Sequence, residues 1–297
     1  MKLSLAMGTL FTFTLGFCTS PAMGVPLTTP KTFTEWCQQK STLPPQTRAT
    51  VDLLLVIAYT QECNQANHEL TNLKELNISF SQISDIKPLS SLTNLTSLDL
   101  SYSQVSDIEP LSNLTNLTSL NLSANKIYDI KILSNLTNLT SLELHENQIS
   151  DIKILSKLTN LTELGLAANK IIDTKPLSSL TNLTSLYISR NQISDLKPLS
   201  NLTNVTSLDL SENKISDLEP LSKLTNLAFI NLTANKISDV KPLSKLTNLT
   251  SLYLSGNKII DIKTLSSLTK LEELKMYGNP IFPKECPFES SIICGFE

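Results

Sequence analysis

A 22-residue period constrains this chain more than any other feature of its sequence. From residue 71 to residue 268 the same 22-residue unit occurs nine times without an insertion, and a tenth copy begins at Thr269 and is incomplete. The copies at 115–136 and 247–268 carry apolar residues at the same slots. A unit this short cannot bury its apolar side alone, so neighbouring units must complete one another in a stack.

Alternation inside each unit predicts one short strand. In the segment 251–255, Leu252 and Leu254 lie on one side of an extended chain, and Ser251, Tyr253 and Ser255 lie on the other. Stacked in parallel, such strands form one sheet with a leucine face and a polar face.

An aspartate followed closely by proline, as in Asp85 and Pro88, predicts a short helical turn after each strand. The carboxylate can cap free amides, and proline is tolerated in the first turn. The nine aspartates from Asp85 to Asp261 also suggest a calcium ladder. We disfavour it, because a lysine two residues later gives most of these charges a partner and calcium needs several converging oxygens.

The unit reads L-x-x-L-x-L-x-x-N-x-I-x-D-I-x-x-L-x-x-L, and it resembles the repeats of bacterial, internalin-like leucine-rich-repeat proteins. The resemblance implies an α/β solenoid. We expect a leucine-rich-repeat arc with a parallel concave β-sheet, short 3-10 or helical turns on the convex side and a helical N-terminal cap.

An asparagine recurs where the chain leaves each strand. Its amide supplies two donors and an acceptor, so a column of asparagines can satisfy the turns from repeat to repeat. Ser81 and Ser103 replace it in the first two repeats, where we expect looser turns. The predicted ladder consists of Asn125, Asn147, Asn169, Asn191, Asn213, Asn235, Asn257 and Asn279.

Another asparagine occurs in the segment Thr-Asn-Leu-Thr of nearly every repeat, which matches the N-glycosylation acceptor pattern. Asn94, Asn138 and Asn248 are examples. We interpret this recurrence as a result of duplication. In a bacterial host the triplets would be inert, and in a eukaryotic secretory pathway they would carry sugars.

Residues 1–24 have the features of a signal peptide. Lys2 precedes an apolar run that ends before the small residues Ala22 and Gly24, and the run is too short to serve comfortably as a permanent membrane anchor. Lipid attachment at Cys18 is disfavoured by the bulky residue before it. We expect a secreted or periplasmic product without a membrane span.

The remaining chain divides at the ends of the repeats. We predict a helical N-terminal cap at 25–70, ten repeats at 71–279 and a C-terminal cap at 280–297, which is a disulfide-pinned loop over the tenth repeat. Apolar spacing within the first cap predicts helices around 33–39 and 45–61. Caps are needed because each end of a solenoid exposes an apolar cross-section.

Cysteines flank the repeats two by two, which in an exported chain predicts one local disulfide at each end. Zinc is disfavoured, because the solenoid separates the two pairs and neither pair has close spacing. The paired-cysteine caps resemble those of secreted cyanobacterial leucine-rich-repeat proteins. The predicted disulfides are Cys37 with Cys63 and Cys286 with Cys294.

No sequence pattern points to catalysis. His145 lies between Glu143 and Glu146, which suggests a metal or acid–base site, but these are solvent-facing slots where polar residues are expected. The seven glycines form no phosphate-binding loop, and a net charge of −3 without a basic patch disfavours nucleic acid as a partner. We therefore predict no enzyme activity, cofactor or metal.

The polar strand slots vary from repeat to repeat and become rich in aromatics in the last five strands. Clustered exposed aromatics indicate a contact surface. We predict a monomer that binds another protein through its concave face; the alternatives are a glycan- or cell-wall-binding adhesin and a phosphatase-regulator-like protein. The predicted contact residues are Tyr187, Arg190, Phe229, Tyr253, Lys275 and Tyr277.

Overall fold

The structure is a computed structural model that describes residues 30–282 and 286–288 and the backbone of 293–295. The predicted signal peptide at 1–24 lies outside these residues. From residue 31 onward the described residues form one compact unit, which is a solenoid of stacked repeats. None of the helices described is long and apolar enough to cross a membrane.

Each repeat contributes one three-residue strand, and the strands pair in parallel in chain order. Equivalent slots are partners, so Leu98 is in register with Leu120 of the next repeat. The predicted fold class is confirmed. The repeat strands are β1 (Glu75–Asn77), β2 (Ser97–Asp99), β3 (Ser119–Asn121), β4 (Ser141–Glu143), β5 (Glu163–Gly165), β6 (Ser185–Tyr187), β7 (Ser207–Asp209), β8 (Phe229–Asn231), β9 (Ser251–Tyr253) and β10 (Glu273–Lys275).

One apolar core runs the length of the solenoid. Leu252 and Leu254 of the ninth repeat are completely buried, as are their counterparts in most other repeats. Burying a leucine side chain contributes roughly 2 kcal/mol relative to leaving it exposed. Strands of only three residues persist because this core holds them.

The convex side carries short 3-10 turns, as expected. The aspartate side chain begins each one: Asp195 Oδ1 accepts a hydrogen bond from the Lys197 amide at 2.9 Å, and the same bond recurs at the other eight aspartates. The turns are Lys87–Leu89, Glu109–Leu111, Lys131–Asn135, Lys153–Lys157, Lys175–Ser179, Lys197–Leu199, Glu219–Lys223, Lys241–Lys245 and Lys263–Ser267.

Six of the eight asparagines that follow the strands are buried, and all eight link consecutive repeats. Asn191 Nδ2 donates to Leu166 O at 3.0 Å, one repeat earlier, and to Ile188 O at 3.2 Å. The same arrangement recurs at the other seven predicted positions. In the first two repeats the hydroxyl oxygens of Ser81 and Ser103 lie 3.4 Å apart instead.

A second asparagine ladder runs along the turn that precedes the strands. Asn182 Nδ2 donates to Thr159 O at 3.0 Å, and the hydroxyl of Thr184 donates to Thr162 O at 3.0 Å. Asn94, Asn138 and Asn248 make equivalent bonds. The glycosylation-like triplets therefore recur for a structural reason that the sequence interpretation missed.

The N-terminal cap has three α-helices and one further 3-10 turn, Lys40–Thr42. The third helix was not predicted because its sequence is polar and only Ala66 and Leu70 are buried. A disulfide joins Cys37 to Cys63 and so ties the first helix to the third. The helices are α1 (Phe33–Gln38), α2 (Pro45–Ile57) and α3 (Cys63–Asn72).

The chain after the tenth repeat forms more than the predicted loop. Strand β11 (Ile293–Gly295) pairs in parallel with β10 and makes the sheet eleven-stranded. It covers the backbone edge that β10 would otherwise expose. Cys286 is disulfide-bonded. The side chain of Cys294 lies outside the described residues, so the pairing of these two cysteines stays a prediction.

Candidate binding surface

Four side chains of each repeat face away from the leucine core, and together they form the concave face. In the sixth repeat they are Ser185, Tyr187, Ser189 and Arg190. The first two belong to the strand, and the last lies in the turn, where the backbone is left-handed with φ of +53° at Arg190. Because the strands are in register, equivalent residues form four columns along the solenoid.

Phe229, Tyr253, Glu273 and Lys275 are in contact across strands β8 to β10, and we call this group the Tyr253 cluster. The rings of Phe229 and Tyr253 meet edge to face, with centroids 5.4 Å apart. The Tyr253 hydroxyl donates to Glu273 Oε2 at 2.5 Å, and Lys275 Nζ lies 4.2 Å from the centroid of the Tyr253 ring.

The ionisable groups of the Tyr253 cluster depend on one another. The Glu273 carboxylate accepts the tyrosine hydrogen bond and thereby raises the pKa of Tyr253. Lys275, 2.9 Å away, and then Tyr253 lower the pKa of Glu273, while Glu273 raises the pKa of Lys275. At neutral pH the tyrosine is therefore protonated between a carboxylate and an ammonium group.

A depression of about 440 Å³ lies on the concave face over the second to sixth repeats, and we call it the Gly165 hollow. Its lining includes Tyr102, Glu143, Tyr187 and Arg190. The small residues Ala167 and Ala168 of the fifth repeat are in its lining, and Gly165 leaves room for the side chains of Glu143 and His145, which line it as well. A Cβ atom at Gly165 would overlap Glu143 Oε2 and His145 Nε2, whose side chains lean over the glycine.

His145 is held on both ring nitrogens. Nδ1 accepts a hydrogen bond from the Ala167 amide at 3.0 Å, and Nε2 lies 2.6 Å from Glu143 Oε2. In the neutral ring the proton is therefore on Nε2, and neither nitrogen keeps a free lone pair to act as a base or a metal ligand. Within the part of the chain that the structure describes, no group of three or more His, Cys, Asp or Glu side chains is arranged to hold a metal.

The structure places five of the six predicted contact residues in two groups. Tyr187 and Arg190 line the Gly165 hollow. Phe229, Tyr253 and Lys275 belong to the Tyr253 cluster. Tyr277 follows β10 and is 42% exposed.

Two aromatic residues at the other end of the concave face were missed. Phe80 and Tyr102 stack with ring centroids 4.4 Å apart, and both are exposed. They occupy the fourth column, in the turn, whereas the sequence interpretation followed the strand slots. The sequence did contain a signal for this pair, because Phe80 and Tyr102 occupy the same slot of two successive repeats.

The concave face is acidic, although the whole chain has a net charge of only −3. Its two basic residues are each paired with a carboxylate: Arg190 Nε lies 3.8 Å from Glu212 Oε2, and Lys275 pairs with Glu273. The eight carboxylates of the face are Glu75, Asp99, Glu143, Glu146, Glu163, Asp209, Glu212 and Glu273.

Comparison with known proteins agrees with this architecture. The family described as Leucine Rich repeats (2 copies) matches residues 71–113, 115–157, 159–201, 203–245 and 247–285. No curated protein matches the chain significantly.

Solved structures provide the relatives. Internalin C2 of Listeria monocytogenes is 36% identical, with a TM-score of 0.63 over 68% of this chain and 90% of that one. An internalin (inlF) of the same organism is 31% identical, with a TM-score of 0.57 over 81% of this chain and 86% of that one. The functional domain of InlJ, at 23% identity, has a TM-score of 0.69 over 90% of this chain and 61% of that one, and shows the shared fold. This chain therefore belongs to the leucine-rich-repeat family, and it is similar to the bacterial internalins.

Proposed function

We propose that the protein is an exported, non-enzymatic and monomeric binding protein that takes a partner protein on its concave face, with Tyr187 and Tyr253 as anchors. Leucine-rich-repeat proteins of the internalin type mediate protein–protein interactions, which supports the class of function. The Tyr253 cluster carries the assignment to this face.

Tyr253 is held in place before any partner arrives. Its hydroxyl is bonded to Glu273, its ring faces Lys275, and the Phe229 ring packs against it edge to face. A side chain that is already ordered loses little conformational entropy on binding, so more of its contact energy contributes to affinity. Tyrosine in such a setting is a common interface hot spot.

The same geometry disfavours the glycan alternative. A sugar that binds by stacking needs an open ring face, and the Lys275 ammonium, 4.2 Å from the ring centre, occupies one face of Tyr253. The phosphatase-regulator alternative requires the reducing interior of a cell, whereas the disulfide between Cys37 and Cys63 is typical of oxidising compartments. A secreted or periplasmic location fits both this disulfide and the signal features of residues 1–24.

The absence of enzymatic activity is part of the proposal. His145 is the concave-face histidine, and both of its nitrogens are engaged by the Ala167 amide and Glu143. A general base needs a free lone pair directed at the substrate. We also retain the resemblance of the paired-cysteine caps to those of secreted cyanobacterial proteins as part of this proposal.

Affinity capture from the native extracellular fluid, followed by affinity measurement on variants, tests the proposal. The double variant Tyr187→Ala, Tyr253→Ala should weaken binding of the captured protein by about 30-fold or more, as expected for two anchors. Lys197→Ala, on the convex side, is the control and should bind normally. A glycan array tests the alternative. If the control loses affinity and the tyrosine variant keeps it, the concave-face proposal is wrong.

A further inference from the structure

We propose that the Gly165 hollow receives a basic side chain, lysine or arginine, from the partner protein. This inference rests on the proposed function, since it concerns the same concave face, and it adds the chemistry of the partner. It assigns a role to the third, fourth and fifth repeats, which the predicted contact residues leave out.

The charge around the hollow favours a cation. Glu143 and Glu146 line it. Glu163 lies on the same strand as Gly165, two residues earlier. The basic residue in the lining is Arg190, and its guanidinium is directed to Glu212. A partner with a positive patch would be attracted by this excess of carboxylates, and a negative partner would be repelled.

Glu143 is positioned to accept hydrogen bonds from such a group. Its Oε2 is buried beside the His145 ring nitrogen 2.6 Å away, so a partner reaches the carboxylate through its exposed part. The side chain as a whole remains 26% exposed. A carboxylate accepts several hydrogen bonds, and His145 holds this one over the glycine, so its orientation does not have to be acquired on binding.

Aromatic and small residues complete the site. Tyr102 and Tyr187 are both in the lining, and Ala167 and Ala168 present only methyl groups. A lysine or arginine side chain combines an apolar stem with a charged end, so the stem can pack against these groups while the charge meets the carboxylates. Tyrosine ring faces also attract ammonium and guanidinium groups.

The space itself depends on the fifth repeat. Every other repeat strand carries a side chain at the slot of Gly165, such as Asn121 in β3 and Tyr187 in β6. Gly165 lies in a regular parallel strand, so its conformation does not require glycine. A side chain at this slot should therefore displace the Glu143 and His145 side chains that cover the glycine, and so disrupt the hollow, while the strand backbone is retained.

A peptide of six arginines tests the inference, with hexaglutamate and hexaserine peptides as comparison probes. Binding is measured by calorimetry at low salt, and the Gly165 amide is followed by NMR. Hexaarginine should bind and shift the Gly165 resonance, and the two other peptides should not. Raising the salt concentration should weaken this binding, because screening acts on exposed charges.

Three variants locate the binding. The double variant Glu143→Gln, Glu146→Gln should weaken hexaarginine binding at least tenfold, and so should Gly165→Asn. Glu109→Gln removes a carboxylate from the convex side and should have no effect. Circular dichroism checks that each variant is folded.

Three results would overturn the inference. Hexaarginine fails to bind, the hollow variants bind hexaarginine as tightly as the wild type does, or Glu109→Gln weakens hexaarginine binding as much as the hollow variants do. With the captured partner, the two proposals separate. If Tyr253→Ala, outside the hollow, weakens binding of the captured partner and the hollow variants do not, this inference is wrong and the proposed function stands. If neither set has an effect, the proposed function itself is wrong.

Discussion

Asn191 Oδ1 accepts a hydrogen bond at 2.9 Å from the backbone amide of Ile171, which lies twenty residues earlier in the chain. The amide nitrogen of the same side chain donates to carbonyl oxygens of Leu166 and Ile188. One buried side chain therefore connects two repeats through both its donor and its acceptor. This bond cannot form within a single repeat.

Replacing Asn191 by alanine should lower the free energy of unfolding by about 3 kcal/mol, because the change leaves buried backbone groups without partners. Ser103→Ala should cost clearly less, since that turn already lacks the amide. Urea denaturation of both variants measures the difference. Equal losses would show that the ladder does not stabilise the stack.

Glycine in place of alanine usually destabilises a protein, and we expect the opposite in the left-handed turns of the repeats. Ala168 has φ of +55°, which strains an alanine by about 1 kcal/mol. Ala168→Gly should therefore be neutral or stabilising, and Gly256→Ala, at φ of +67° with room for a methyl group, should be destabilising by up to about 1 kcal/mol. Thermal unfolding measures both.

Ala228→Gly is the matched control for this comparison. Ala228 is not among the residues with positive φ. Glycine there should destabilise by roughly 0.5–1 kcal/mol, because it loses more backbone entropy on folding. Destabilisation of the same size at Ala168 would contradict the assigned turn conformation.

The pKa of Glu273 should be measurably below its usual value of 4.5. Lys275→Met should raise this pKa more than Tyr253→Phe does, because Lys275 is the larger cause of the shift. A carboxyl whose pKa is lowered by folding stabilises the protein above its unfolded pKa, and that contribution is lost as the pH falls through the folded value. NMR titration of the Glu273 side chain provides the measurement.

Lys241→Met, on the convex side, is the control for this titration and should leave the Glu273 pKa unchanged. If Lys275→Met and Lys241→Met give the same pKa as the wild type, the pairing in the Tyr253 cluster is wrong.

The disulfide of the N-terminal cap should contribute about 3.5 kcal/mol, from the entropy of closing its loop in the unfolded chain. Its cysteines are 26 positions apart. The variant Cys37→Ser, Cys63→Ser should therefore unfold at a lower denaturant concentration. Mass spectrometry of a non-reduced digest checks this bridge and the predicted pairing of Cys286 with Cys294. A peptide that links the two ends of the solenoid would contradict both.

The sequence by itself determined the solenoid, its parallel register and its leucine core. Each repeat contacts mainly its neighbours, and those neighbours carry the same pattern. The local alternation around Leu252 and Leu254 therefore specifies the environment that the same residues meet in the next repeat. The aspartate-initiated turns followed from local chemistry as well, since Asp195 bonds to an amide only two residues away.

Only the tertiary structure decided how unlike side chains meet across adjacent repeats. Helix α3 was not apparent because its sequence is mostly polar and buries only Ala66 and Leu70, and β11 forms because β10 offers an unpaired edge. The Gly165 hollow and the hydrogen bond between Tyr253 and Glu273 each depend on residues at least 20 positions apart in sequence. The repeat pattern places such residues side by side, but the rotamers and partners that they adopt are set by packing in the folded stack.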